Sequence, residues 1–492
     1  GNVYGFSLVY SGNFIAGAER NPYNGVRAYI GINPANFQFV LESGDSFQTP
    51  EAVLVYSANG IGEMSRIYHR LYRTRLCRGK YRDTERFVLI NNWEATYFDF
   101  NEEKIVGIAK RAAKIGIDTM VLDDGGFSSR IKDDNGLGDW YENRDRLPNG
   151  LEGLAEKINS LGMRFGLWFE PEMVNPKSEL YEKHKDWVIH LPNRDEYYFR
   201  NQMVLDLSNP KVQDFVYGVV DKILTENPEV AFFKWDCNSP ITNVYSPYLK
   251  NKQGQLYIDH VRGIYNVLKR IKDKYPNVPM MLCSGGGARC DYEALKYYTE
   301  FWCSDNTDPI ERLFIQWGFS QIFPAKAMCA HVTSWNKNTS VKFRTDVASM
   351  CKLGFDLGLK ELNADEQTYC QNAVANWTRL KKVILDGDQY RLVSPYDGNH
   401  MSLMYASPDK NKAVLYTYDI HPRFGEKLLP VKLQGLDAKK MYKVKEINLM
   451  PNSKSNLAAN EKTYSGDYLM KVGINAFTTN QAFSRVIELT AE

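Results

Sequence analysis

Residues 1 to about 60 alternate apolar and polar positions between turn signals, as in FSLVYSGNF, VRAYIGINP and FQFVLESGDSFQTPEAVLVYS. A period of two puts side chains on opposite faces of an extended chain, and Asn-Pro and Ser-Gly-Asp mark turns, so the stretch predicts antiparallel β-structure. From Ile61 to Arg75 the pattern, IGEMSRIYHRLYRTR, turns helical and basic and predicts a connector between two domains. From Arg86 onward the period switches repeatedly. Short apolar runs occur at 87–92 (FVLINN), 117–122 (IDTMVL), 163–169 (MRFGLWF), 229–235 (EVAFFKW) and 279–283 (PMMLC), with weaker candidates near 299–303, 325–329 and 354–357. Between most of them lie amphipathic segments with helix-start signals: Asn101 before EEKIVGIAKRAAKIG, Asn209-Pro210 before KVQDFVYGVVDKIL, and Asp308-Pro309 before IERLFIQWG.

Eight strands alternating with helices over some 300 residues predict a (β/α)8 TIM barrel. A doubly wound sheet would need fewer strands and a ligand motif after the first one, and no Gly-rich phosphate loop follows it. After about Leu385 the helical period ends, and MSLMYASPDKNKAVLYTYDI, LLPVKLQGL, KMYKVKEINLM and AFSRVIELT predict a C-terminal all-β domain. The expected division is 1–80 for the N-terminal β region with its connector helix, 81–384 for the barrel and 385–492 for the C-terminal domain.

Composition narrows the classes. The 61 basic and 59 acidic residues nearly cancel, which leaves no broad footprint for nucleic acid or an anionic membrane. No 18-residue apolar run is present, so no transmembrane helix is expected. The opening GNVYGFSLVYSG lacks a basic start and a long apolar stretch and reads as a strand already under way. Because the first residue is not Met, the chain is expected to be a piece of a longer protein; with no targeting segment in view the compartment stays open, a cytoplasmic one being slightly favoured. The 8 cysteines have neither CxxC pairs nor regular spacing, so neither a zinc site nor a disulfide framework follows. Aromatics make up 13% of the chain, with 9 Trp and 31 Tyr; such residues suit carbohydrate-stacking surfaces and equally well β-rich cores.

In a TIM barrel the chemistry lies at the C-terminal ends of the strands. Those ends read Asn92-Trp93-Glu94, Asp123-Asp124-Gly125-Gly126, Trp168-Phe169-Glu170-Pro171-Glu172, Lys234-Trp235-Asp236, Cys283-Ser284 with three glycines, and Trp302-Cys303-Ser304-Asp305 for the first six strands. In FFKWDCN the period of two places Lys234 and Asp236 on one face. A Lys beside an Asp favours the ionised carboxylate that a nucleophile needs, although a purely structural ion pair fits the same spacing. Asp308, followed by Pro309 and Glu311, reads as a helix cap, which leaves Asp305 the freer acid, unless it is a turn residue. One ionised and one protonated carboxyl group are the apparatus of a glycosidase. Asp123 and Asp124 fit either a metal site with Asp236 and Asp305 or the hydroxyls of a sugar. The absence of a phosphate cradle and a His cluster favours the sugar. Trp168 or Trp93 would then cover the apolar sugar face or simply pack the barrel, and the glycines after Cys283 let a ligand approach the backbone closely.

The segments FEPEMVNPKSELYEKHKDWV, FFKWDCN, CSGGGARCDYEAL and WCSDNTDPIERL resemble the α-galactosidases of glycoside hydrolase family 36, and GFSLVYSGNF with SFQTPEAVLVYS is similar to the end of that family's N-terminal β-sandwich. The resemblance implies a retaining hydrolase of terminal α-linked galactose, as in melibiose or raffinose, with Asp236 as nucleophile and Asp305 as acid/base. It further implies that Asp123 and Asp124 bind the galactose O4 and O6 hydroxyls and that Trp168, Arg200 and Lys234 line the same subsite. Cys283 and Gly286 would sit near the 2-hydroxyl, and Trp93 would border the leaving group. No cofactor or metal is implied, and the two carboxyl groups are expected about 5–6 Å apart. Ala288, Cys290 and Cys303 depart from the family pattern around the acid/base loop. Family members carry a complete sandwich that helps build a tetramer; here only a partial N-terminal sandwich is expected, which puts the homo-oligomer in doubt. On the same scaffold the rivals are an α-N-acetylgalactosaminidase, an α-galactosyl-transferring enzyme and a non-catalytic carbohydrate-binding fragment. The intact Cys283-Ser-Gly-Gly-Gly loop leaves little room for an acetamido group, and retention of both Asp236 and Asp305 argues against the binding fragment.

Overall fold

The computed structural model describes residues 1–77, 79–335 and 338–492. The N-terminal strands β1 (Val3–Val9), β2 (Phe14–Arg20), β3 (Val26–Ile32) and β4 (Glu51–Ser57) form two antiparallel ribbons, β1 with β4 and β2 with β3. The alternating residues 37–48, expected to be β, pair with no strand. Phe39 and Phe47 pack edge to face at 4.7 Å against Arg262, and the Gln38 N–H bonds to the Gly254 carbonyl, so this stretch spends its aromatics on the barrel's helix layer. The expected connector is a helix, Ile61–Leu71, that widens into a π-turn over Tyr72–Leu76. Its buried Met64 and Tyr68 pack against Gly5 of β1, the Tyr72 hydroxyl donates to the Thr299 carbonyl, and Arg73 pairs with Asp388, so one helix joins three parts of the chain.

The barrel strands are β5 (Leu89–Asn91), β6 (Thr119–Leu122) and β7 (Arg164–Phe169), then, after the small ribbon β8 (Met173–Val174) and β9 (Met203–Val204), β10 (Val230–Trp235), β11 (Met280–Leu282), β12 (Glu300–Trp302), β13 (Met328–Thr333) and β14 (Lys352–Asp356). They close in chain order, β14 against β5, and every pair is parallel. This is the TIM barrel that the alternation of periods predicts. Its helices begin where the capping residues place them: Asn101 accepts from the Lys104 N–H, Asn209 from the Lys211 N–H, and Asp308 from the Ile310 and Glu311 N–H groups, with Pro210 and Pro309 in the first turn. One strand differs from expectation. Ala325–Ala327 forms a 3-10 turn behind Pro324, and the seventh barrel strand runs to Thr333 rather than ending at 329. The ring's interior is filled by Leu89, Val121, Phe232, Met281, Cys283, Trp302 and Cys329.

The C-terminal region is a six-stranded antiparallel sheet of β15 (Asp388–Val393), β16 (His400–Ala406), β17 (Lys412–Asp419), β18 (Met441–Ile447), β19 (Lys462–Ser465) and β20 (Phe483–Ala491). The last strand lies between β17 and β18. LLPVKLQGL, expected to be a strand, makes only an isolated bridge between Val431 and Ile474, since Pro430 offers no N–H for a ladder. Tyr405, Tyr416 and Tyr418 bond through their hydroxyls to the carbonyls of Met350, Ser349 and Asp346, seating this sheet on the barrel. Many of the 31 tyrosines therefore serve packing. Among the described residues no helix is long and apolar enough to cross a membrane.

Candidate active site

Strand ends carry the site because β-strands of a barrel point their last side chains into a common mouth. Here that mouth holds a cavity of about 390 Å³ lined by Trp93, Asp123, Asp124, Trp168, Arg200, Lys234, Asp236 and Asp305 from among the residues singled out in the sequence. Cys283 and Gly286 are not on its wall. Cys283 is buried beside Asp236. At Gly286, φ is +88° and a Cβ would come within 2.8 Å of the Asp305 backbone nitrogen, so this glycine lets two loops pack backbone to backbone.

Asp236 is the first residue beyond β10. Its Oδ2 accepts the Trp168 indole N–H at 3.1 Å and its Oδ1 the Cys237 backbone N–H at 2.9 Å. Burial pushes its carboxyl up, but the Lys234 ammonium and hydrogen bonds from Trp168, Asn238 and Cys283 outweigh that and hold it below the ordinary value. Asp305, beyond β12, accepts the Trp302 indole N–H at 2.9 Å. Burial raises it, Lys234 pulls it back, and the charge of Asp236 adds to the rise; the net direction is up. Two carboxyl groups in one cavity thus move apart in acidity, one toward the ionised form and the other toward the protonated form. That division of labour can attack and protonate a glycosidic linkage from its two sides.

Lys234 does not pair with Asp236. Its ammonium lies 2.8 Å from Asp123 Oδ2 and acts on Asp236 through space. The neighbour along the strand loses to an acid two strands away, beyond β7, because the ammonium reaches into the shared mouth. Asp124 is gripped by one edge of the Arg130 guanidinium, whose Nε and Nη2 donate to its two oxygens at 2.6 and 2.7 Å. The paired acids are thus neutralised by fixed cations, while their remaining lone pairs stay available to hydroxyl donors. Among the described residues no group of three or more His, Cys, Asp or Glu side chains is arranged to hold a metal ion.

Sequence reasoning missed Asn91, Tyr97, Asn238, His331, Trp335 and Asp356, all on the same wall, and named Glu94 and Trp302 only as parts of strand ends. Asp356 ends β14, so the strand-end rule extended to the last strand finds it; His331 and Trp335 were hidden by the misplaced seventh strand. Glu94 and Asp356 form a second acidic pair. The Glu94 N–H donates to Asp356 at 2.8 Å, and the Glu94 carboxyl accepts from Thr307 at 2.8 Å. Burial lifts Glu94 to about 7, and burial with the charges of Glu94 and Asp123 lifts Asp356 well above the carboxylate range.

The melibiase family model matches residues 46–387, the glycosyl hydrolase family 36 C-terminal domain matches 400–489 and the family 36 N-terminal domain matches 1–42. The α-galactosidase AgaA of Geobacillus stearothermophilus is 43% identical over 480 residues, covering 96% of this chain and 64% of that protein. The α-galactosidase Mel36A of Lactobacillus acidophilus is 38% identical over 479 residues, 96% of this chain and 63% of that protein. The chain thus spans less than two thirds of the length of these relatives. The crystal structure of AgaA superposes with a TM-score of 0.94 at 42% identity, over 100% of this chain and 67% of the other, and a variant of AgaA in complex with raffinose does so at 0.95. On three co-linear domain matches, the chain belongs to glycosyl hydrolase family 36.

Proposed function

We propose that this protein is a retaining α-galactosidase that releases terminal α-linked galactose from galacto-oligosaccharides such as melibiose or raffinose through a galactosyl-enzyme. The observation that carries the reading is the opposite displacement of Asp236 and Asp305 within one sugar-sized, aromatic-walled cavity. Asp236 attacks the anomeric carbon; as its ester bond forms, the bond to the aglycone oxygen breaks and that oxygen takes the proton of Asp305. The ester is neutral, so the negative charge that raised Asp305 is gone and Asp305 stays ionised as the base for the second step. It removes a proton from water, the water oxygen bonds to the anomeric carbon, and Asp236 leaves as a carboxylate. Two inversions return the α configuration. Asp123, with its Lys234 partner, and Asp124, with Arg130, are assigned to galactose hydroxyls; Trp168 and Arg200 share that subsite, and Trp93 borders the leaving group. Cys283 and Gly286 act from behind the wall, the thiol on Asp236 and the glycine on the placement of the Asp305 loop.

The raffinose complex of the AgaA variant supports an oligosaccharide substrate for this chain. The test is turnover of p-nitrophenyl α-galactoside by the protein and by Asp236→Ala, with NMR of the first galactose released. Turnover by the parent, α-galactose as first product and loss of turnover in the variant are expected. A parent that binds galactose without turnover would make the protein a carbohydrate-binding fragment. First-formed β-galactose sinks the retaining mechanism, and activity on an N-acetylgalactosaminide alone sinks the substrate.

A further inference from the structure

Two glutamates that these steps leave unused stand behind Asp236. Glu170 and Glu172 follow β7, neither has exposed surface, and neither lines the cavity. A buried carboxylate is costly unless its oxygens are bonded, so the destinations of those bonds are informative. Glu172 accepts from both terminal guanidinium nitrogens of Arg289, at 2.9 and 2.8 Å, and from the Trp235 indole N–H at 2.7 Å, with the Cys237 thiol 3.8 Å from its second oxygen. Glu170 accepts the Asn238 backbone N–H at 2.7 Å and the Gln202 amide at 3.0 Å. Trp235, Cys237 and Asn238 bracket Asp236.

The opposite flank is held from the loop after β11. The Ser284 hydroxyl donates to the Cys237 carbonyl at 2.7 Å, and the Gly285 N–H donates to Asn238 Oδ1 at 2.8 Å. Arg289 belongs to that same loop. In the barrel β10 lies between β7 and β11, so the Glu172–Arg289 ion pair fastens the ends of the two outer strands across the one that presents Asp236. The clamp meets the chemistry at the Cys237 backbone N–H, which donates to Asp236 Oδ1, while the Trp168 indole holds Oδ2. A turn of the 236–237 peptide removes that donor and rotates the carboxylate.

We propose that Glu172 and Arg289 are positioning residues whose ion pair, acting through Trp235 and Cys237, fixes the 236–237 peptide and thereby the aim of the Asp236 carboxylate. The proposal rests on the assignment of Asp236 as nucleophile. Buried ion pairs add little net stability over well-packed apolar side chains. A bidentate guanidinium–carboxylate pair sets orientation as well as distance, which is what an aligned nucleophile requires.

Arg289→Lys keeps the charge and loses the paired geometry; Trp235→Phe leaves Arg289 in place, removes the indole donor with part of a buried ring, and serves if the first variant does not fold. Each is compared with the parent by kcat and KM on p-nitrophenyl α-galactoside per folded molecule, and by amide hydrogen exchange at Cys237 and Asn238. Arg289→Lys is expected to lose about tenfold or more in kcat with KM within about twofold, and to exchange faster at those amides, with Trp235→Phe moving the same way by less. Retained kcat in a folded variant overturns the proposal, whether KM or the melting temperature alone has moved, because a structural ion pair does only that. If the parent turns over no galactoside, the assigned function fails on its own, and exchange alone decides: unchanged protection at both amides removes the clamp, and faster exchange keeps it.

Discussion

At the N-terminal mouth of the barrel Glu300, which opens β12, is paired with Lys352, which opens β14, and lies 3.5 Å from Arg86, with all three side chains no more than 3% exposed. The Lys352 ammonium also sits over the Phe232 ring at 4.7 Å. At the C-terminal mouth Asp123, Asp124, Asp236, Asp305, Glu94 and Asp356 face one cavity, and among the described residues two of the six are matched by a directly bonded cation, Lys234 for Asp123 and Arg130 for Asp124. The same eight strands thus bear a plug in which one acid meets two cations and a cup in which acids outnumber them. Surplus acid in a half-dry space cannot all ionise, so the carboxyl groups separate in acidity. That separation is worthless for stability and valuable for moving protons.

Breaking the cup and breaking the plug should therefore have different signatures. Between the two mouths the larger effect is expected for Asp305→Asn, which removes the proposed proton donor and should cost about 10²–10⁴-fold in kcat/KM on raffinose. With p-nitrophenyl α-galactoside, whose leaving group departs without a proton, the loss in kcat/KM should be much smaller. Equal losses on both substrates would remove Asp305 from the acid role. Next comes Lys352→Met, which strips a partner from buried Glu300 and should cost about 3–5 kcal/mol in urea unfolding, at the low end because Arg86 remains. Its kcat per folded molecule should match the parent; a large fall in kcat there would show that the plug shapes the cup after all.

What could be read from one dimension follows the same division. Helix starts were legible because a cap is a contact between neighbours: Asn101, Asn209 and Asp308 each bond an N–H two or three residues on. Strand ends were legible wherever an apolar run stops at a charged residue, which puts Asp123, Asp236 and Asp305 in one cup. Contacts between strands were not. Nothing local says that Lys234 chooses Asp123 over Asp236, since strand β7 stands between their strands in the ring. Nor does spacing mark Arg200, which reaches the cavity from a turn in which it and Asn201 both adopt positive φ. The seventh strand was misplaced because its apolar run begins inside the Pro324 turn, and His331 and Trp335 went with it.

The smallest effect tests whether the two acids of the cup sense each other. In the proposed first step Asp236 is ionised and Asp305 protonated, so kcat/KM should fall as pH drops through the lowered value of Asp236 and again as pH rises through the raised value of Asp305. Part of that second value comes from the negative charge of Asp236. Replacing Asp236 with Asn removes a like charge, which favours the carboxylate of Asp305 and lowers its midpoint. The midpoint is read from the carboxyl carbon resonance of Asp305, assigned by its loss in Asp305→Asn, and Lys352→Met at the far mouth should leave it where it was. Esterification of Asp236 in the galactosyl-enzyme makes the same change in charge as the Asn substitution. A midpoint that holds still in Asp236→Asn would therefore leave the change of Asp305 from acid to base without an electrostatic cause.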